Sequence, residues 1–281
     1  MNTKIKLLTG ALSVLIMSCN TGEEKNQQST SIKENTSKEE AKTFQNKGHE
    51  LVYNMVQKVG NYSKLYNKKD VVYTYSYTTP DGKTDITTEK YLFNGELSYG
   101  EYKKHERTSP DLEGSIEQGY DGNEYWIKHD EKVLTDEKLL DKVKFNRPTN
   151  FYWFTMMQKL LDNGLHYEYL GERTISENDY DIVKVTFDLN GKENTDIYQL
   201  YINKETLLVN QFLFTVVDYG VIDEPFLMVM EYEEIDGLLI PTQRKYKKST
   251  WDAGVTEGPW INVTWSDIQF GNGLTIEDFK K

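Results

Sequence analysis

The residues with the plainest capacity for chemistry are carboxylates. Glu231, Glu233, Glu234 and Asp236 gather around one strand end, and Asp218, Asp223 and Glu224 occupy the loop before that strand. Two carboxylates several ångströms apart can serve as acid and partner on a glycosidic bond, and convergent oxygens can hold calcium. Spacing alone shows neither arrangement, and 45 acidic residues in a chain of 281 produce such clusters without function. The four histidines, His49, His105, His129 and His166, fall on different segments, with no ligand spacing such as His-Glu-x-x-His. There is no Gly-x-Ser-x-Gly elbow and no glycine loop that would cradle phosphate. The sequence therefore assigns no catalytic residue, no metal ligand and no cofactor.

Cys19 is the single cysteine of the chain. Lys4 and Lys6 precede an apolar run over residues 7–17, which ends at Ser18-Cys19. A positive start, a short apolar core and a small residue before the cut describe an export signal. The run is shorter than the roughly 20 apolar residues that span a bilayer. Ile16-Met17-Ser18-Cys19 resembles the bacterial lipobox, with Met17 departing from the usual small residue at its place. That resemblance implies cleavage after Ser18 and acylation of Cys19, palmitate included. Acyl chains add about 0.8 kcal/mol per buried methylene, so a multiply acylated cysteine anchors stably.

The expected organisation is a signal peptide over 1–18, a lipidated Cys19 heading a disordered tether over 19–43, and a single β domain over 44–281. Residues 20–42 are almost devoid of apolar side chains and cannot offset their ordering entropy. Glu23-Glu24 resembles a surface-display signal of Gram-negative lipoproteins, and Asn20 lacks the aspartate associated with inner-membrane retention. The expected location is the cell envelope, as an outer-membrane lipoprotein on the periplasmic face or the cell surface. With Cys19 spent on the anchor, no disulfide can staple the domain. The net charge of −12 argues against nucleic acid and against attraction to anionic headgroups.

Residues 151–161 (Phe-Tyr-Trp-Phe-Thr-Met-Met-Gln-Lys-Leu-Leu) are apolar nearly all round, and Asn163-Gly164 ends the run. A helix apolar on every side is buried or covers something apolar. Trp153, Phe154, Met156 and Met157 are the expected contacts to a hydrophobic ligand, facing Phe212, Phe214 and Met228 from strands. Methionine suits such surfaces because it is flexible and polarizable. The competing use of the same stripe is an ordinary core helix. Trp126, Trp251, Trp260 and Trp265 pose the same alternative, sugar stacking if exposed and core if buried.

The elements that must position these residues follow from periodicity. Phe44, Leu51, Val52, Met55, Val56 and Val59 recur at helical spacing, with Gly60 as a stop. The period then becomes two, with Tyr73, Tyr75 and Tyr77 on one side of a strand and turns at Asp81-Gly82, Asn94-Gly95 and Asp121-Gly122. A short helix capped by Thr135 is expected over 135–143, separated by Pro148 from the apolar helix. Strands resume over 167–170, 180–189, 197–203, 207–217, 225–235, 239–248 and 260–270. In two of them Phe212 and Phe214 oppose Leu213, and Met228 and Met230 oppose Leu227 and Val229. Strands apolar on both sides need cover on each face.

This order resembles the LolA/LolB-type lipoprotein carriers: a leading helix, an antiparallel meander, helices midway, then more strands. The resemblance implies an α+β fold in which a curved antiparallel sheet of about eleven strands, a half-open barrel, carries helices on its concave face. The wording of residues 167–173, 198–202, 211–216, 236–242 and 259–265 is similar to a family of uncharacterised bacterial lipoproteins. Among Arg107, Arg147, Arg173 and Arg244, none is assigned the key arginine of the carriers. The leading expectation is a non-enzymatic, membrane-anchored lipoprotein that binds a lipid or other hydrophobic ligand and no nucleic acid. The alternatives are a glycan- or protein-binding module displaying Trp251 and Trp260, and a hydrolase using residues 231–236.

Overall fold

β-branched and aromatic residues alternating with polar ones build six strands, β1 (Asp70–Thr78), β2 (Thr84–Leu92), β3 (Leu97–His105), β4 (Ile116–Tyr120), β5 (Tyr125–His129) and β6 (Lys132–Val133). Seven more follow: β7 (Leu165–Ile175), β8 (Asn178–Phe187), β9 (Ile197–Asn203), β10 (Val209–Val216), β11 (Val221–Ile235), β12 (Leu238–Lys248) and β13 (Ile261–Phe270). This is a computed structural model that describes residues 42–281; Cys19, the expected export signal and nearly all of the expected tether lie outside the described residues. Residues 43–281 form one unit.

All thirteen strands join one sheet in the order β6-β5-β4-β3-β2-β1-β13-β12-β11-β10-β9-β8-β7. Each half is a meander, and the antiparallel β1–β13 pair welds the halves together. β6 and β7 are the two edges, so the barrel is not closed.

Among the described residues three α-helices accompany the sheet: α1 (Lys47–Val59), α2 (Tyr62–Tyr66) and α3 (Glu137–Lys159). Asn46 caps α1 by accepting from the His49 N–H, and its amide Nδ2 donates to the Tyr167 carbonyl on edge strand β7. Val52, Met55, Val56 and Val59 then face the sheet, each essentially unexposed. At roughly 1.5–3 kcal/mol for a fully buried side chain of this size, that stripe is what docks α1.

The contacts of α3 show how strongly the sheet wraps. Asn146 reaches Gln118 of β4 at 3.5 Å, whereas the Tyr152 ring lies 6.5 Å from Tyr198 of β9. Those strands are eight ladder steps apart, about 38 Å in a flat sheet. The two helix residues are six apart, about 9 Å along the axis. Only a sheet curled around the helix satisfies both contacts, so α3 lies on the concave face.

Three expectations need correction. Thirteen strands replace about eleven. The two-residue β6 is new, and β2 carries the strand expected before Asn94-Gly95 back through a polar stretch, whose inward row of Asp85, Thr87 and Glu89 shows no hydrophobic alternation although all three are buried. The two helices expected around Pro148 are one 23-residue helix, capped by Asp136 instead of Thr135 and continuing through the proline. Tertiary bonds from Arg147 and Asn150 to Glu89 fix the backbone on either side, overriding the missing N–H. The five-residue α2 was not expected at all.

Candidate functional site

The inner wall is aromatic. Trp153 of α3 stands 5.3 Å from Phe214 and 5.9 Å from Phe212, ring centre to ring centre. Met156, Met157, Phe212, Phe214 and Met228 share one buried cluster with the inner face of α1, and Trp153 packs against it. Phe154 points to the other side of α3, into a second cluster, 5.0 Å from Tyr73 and 5.2 Å from Trp265. The structure thus gathers the seven apolar residues singled out from the sequence on the concave face, in two adjoining groups.

Beyond this floor the apolar surface continues outward. Phe226 lies 5.5 Å from both Phe214 and Tyr246, and Tyr246 meets Tyr77 hydroxyl to hydroxyl. Trp153, Phe226, Tyr246, Ile261, Tyr75 and Tyr77 are only half buried. Along the same rim, Phe145 of α3 touches Tyr219 in the turn after β10, with ring centres 4.7 Å apart.

Two arginines point into this interior. Arg147 of α3 is wholly buried and forks onto Glu89 of β2, with Nη1 donating at 2.9 Å and Nη2 at 3.0 Å. The Tyr91 hydroxyl also donates to Glu89, at 2.9 Å, and lies 3.0 Å from the Tyr73 hydroxyl. Gly100 makes the close approach possible, since a Cβ there would stand 2.5 Å from Nη1. Burial opposes the charge of Arg147, but the Glu89 carboxylate holds its pKa above the ordinary arginine value.

Arg244 of β12 is different. It is 6% exposed, its guanidinium carbon is 3.6 Å from the centre of Trp265 and 5.8 Å from that of Trp153, and among the described residues it has no carboxylate partner. Burial pushes its pKa down to about 10, against the weaker opposing pull of Tyr75, Tyr73, Tyr91 and Tyr232. Its Nε and the Trp265 Nε1 are both buried without an acceptor among the described residues.

The remaining candidates disperse. Glu231, Glu233, Glu234 and Asp236 are exposed around the end of β11, where Glu233 accepts from Thr242 and Asp236 pairs with Lys68. Asp218, Asp223 and Glu224 are exposed, and no group of three metal-ligating side chains converges among the described residues. His105 binds the Ser109 and Gly114 carbonyls, His129 the Glu113 carbonyl and His166 the Asp188 carboxylate, while His49 stacks on Tyr167. Trp251 and Trp260 pack half buried over Tyr180, Ile182, Tyr201, Leu213 and Leu227. They cover the convex face, as the two-sided strands required. Trp126 is buried with its N–H on the Phe279 carbonyl. No helix among the described residues is long and apolar enough to cross a membrane.

Sequence reasoning missed both interior arginines. Arg147 follows a run read as interhelical, and Arg244 sits in Gln243-Arg244-Lys245, which looks like any solvated stretch. The one available signal was position: Arg244 shares its side of β12 with Tyr246.

No protein-family model matches the sequence, and no curated protein matches it. Solved structures do align. A DUF1329 family protein from Desulfovibrio piger is 17% identical, covering 83% of this chain and 95% of its own, with a TM-score of 0.49. A LolA superfamily protein from Nitrosomonas europaea is 14% identical over 82% of this chain and 97% of that one, with a TM-score of 0.46. A putative outer membrane lipoprotein-sorting protein domain from Vibrio parahaemolyticus is 10% identical over 83% and 96%, with a TM-score of 0.47.

Proposed function

We propose that the chain is a membrane-anchored envelope lipoprotein whose concave trough binds the aliphatic part of a lipid-like ligand, acting by binding and not by catalysis. One observation carries this reading. The apolar floor of Phe212, Phe214 and Met228 does not end where α3 covers it, but runs on into half-buried Trp153, Phe226, Tyr246 and Ile261. A continuous apolar surface left partly open to water marks a place for an apolar partner. The wall behind it is a continuous hydrogen-bonded sheet, and ligands of this kind favour preformed, mostly apolar concavities. Acylation of Cys19 would tether the trough to the membrane.

The test uses a neutral chain, so that no headgroup charge contributes. A brominated octadecanol added to the full chain is expected to quench tryptophan fluorescence. Trp153→Phe should remove more of that quenching than Trp251→Phe, because Trp251 covers the convex face. Absence of quenching, or equal loss in the two variants, contradicts the reading. Separately, alkynyl palmitate fed to expressing cells should label the protein, and Cys19→Ala should abolish the label.

A further inference from the structure

Arg244 and Trp265 are an anomaly in an interior that otherwise pairs its charges. Buried polar groups nearly always have partners, and each exception calls for a reason. Arg244 Nε and its neighbour Trp265 Nε1 both lack an acceptor among the described residues, as does Arg147 Nε, but Arg147 keeps Glu89 on its fork whereas the Arg244 guanidinium lies 3.6 Å from the indole ring with no carboxylate beside it among the described residues. The same wall shows that the fold can pair a buried arginine, since Arg147 has Glu89. Leaving a cation unpaired in an apolar site costs stability, which a bound anion offsets.

The surroundings say what form that anion takes. On the ladder, Arg244 stands level with Met230 of β11 and Val263 of β13, one rung inward of Tyr246, Met228 and Phe212. Tyr246 and Tyr77 on the outer side are half buried, and the other neighbours of Arg244 are Trp153, Trp265 and the phenols of Tyr73, Tyr75, Tyr91 and Tyr232. A free hydrated ion would have to shed its water against aromatic walls with nothing to replace it but these donors. An anion attached to an alkyl chain brings apolar area that those walls bury. The guanidinium fork matches a carboxylate or phosphate geometrically, and the indole N–H adds a further donor.

We propose that Arg244 and Trp265 receive the oxyanion headgroup of a chain amphiphile whose tail lies along Phe212, Phe214 and Met228. The proposal rests on the reading above that the trough holds an aliphatic chain, and narrows its ligand to acidic amphiphiles. In a chain of net charge −12, this bare interior cation is what makes an anionic ligand admissible.

The experiment titrates the full chain with hexadecanoate, hexadecan-1-ol and inorganic phosphate by calorimetry. A hydrogen bond to a charged group changes affinity roughly ten- to a hundred-fold, so hexadecanoate should bind at least about tenfold more tightly than the alcohol. Arg244→Met should abolish the preference while retaining alcohol binding, Arg244→Lys should retain part of it, and Trp265→Phe should reduce it. Retained alcohol binding shows that the variants are folded. Equal affinities for acid and alcohol, or a preference that survives Arg244→Met, overturn the headgroup assignment and leave the trough reading standing. Phosphate binding as tightly as hexadecanoate overturns the amphiphile and indicates a free anion. Failure of both chain ligands refutes the trough reading, and this proposal with it.

Discussion

Two buried arginines, facing the same interior, have opposite surroundings. Arg147 is clamped bidentately by Glu89, backed by Tyr91 and Asn150, with Gly100 leaving room for the fork. Arg244 lies against two indoles and has no acid beside it among the described residues. Burial alone disfavours the charge in both cases, and the neighbouring carboxylate decides the direction: Arg147 is raised, Arg244 lowered to about 10. The first is a structural pin holding α3 to β2. The second is a buried cation with no acid to pin it among the described residues, which is why the ligand's headgroup is proposed to sit there and not at Arg147.

The largest test acts on both regions together. Burial pushes Tyr73 and Tyr91, which join the two regions, well above the ordinary phenol value, together with Tyr198. In the unfolded chain these phenols ionise near pH 10. Above that pH the native state therefore binds more protons, and stability falls as pH rises, by about 1.4 kcal/mol per unit for each phenol. Below about pH 9 these groups should leave stability flat. Urea denaturation at pH 8, 10 and 11 checks the sign, and a flat profile through pH 11 would break the picture of a closed interior.

Next in size is the pin. Arg147→Met strands Glu89 in the interior and should cost about 3–5 kcal/mol in urea unfolding, with most of it restored in Glu89→Leu/Arg147→Met. A loss under about 1 kcal/mol would put Glu89 in contact with water. Gly100→Ala pushes a methyl into the guanidinium and should cost about 1–3 kcal/mol by the same measurement. The smallest effect is the most telling: Arg244→Met, with no partner to strand, should leave stability within about 1 kcal/mol or raise it. A cost comparable to that of Arg147→Met would erase the contrast.

What the sequence revealed and concealed follows the same division. Where the interior is apolar it was legible: the stripe of α1, the seven apolar residues of α3, β10 and β11 that pack in its two clusters, and the double-sided strands of β10 and β11 all show a hydrophobic period. Where the interior is polar, the period vanishes. Asp85, Thr87 and Glu89 face inward on β2 and read as a solvated strand, and Pro148 reads as a break because the bonds of Arg147 and Asn150 to Glu89 are long-range. Arg244 was illegible for a further reason. Its significance is the absence of a partner across the fold, and a missing neighbour leaves no mark in sequence.

The most direct test of the central claim, that the trough holds an aliphatic ligand, is native mass spectrometry of the full chain purified from cells, before and after incubation with hexadecanoate. The account predicts a non-covalent adduct, carried from the cell or acquired on incubation, that solvent extraction removes and that Arg244→Met weakens. A bare protein mass in both samples would contradict it and make α3 an ordinary core helix.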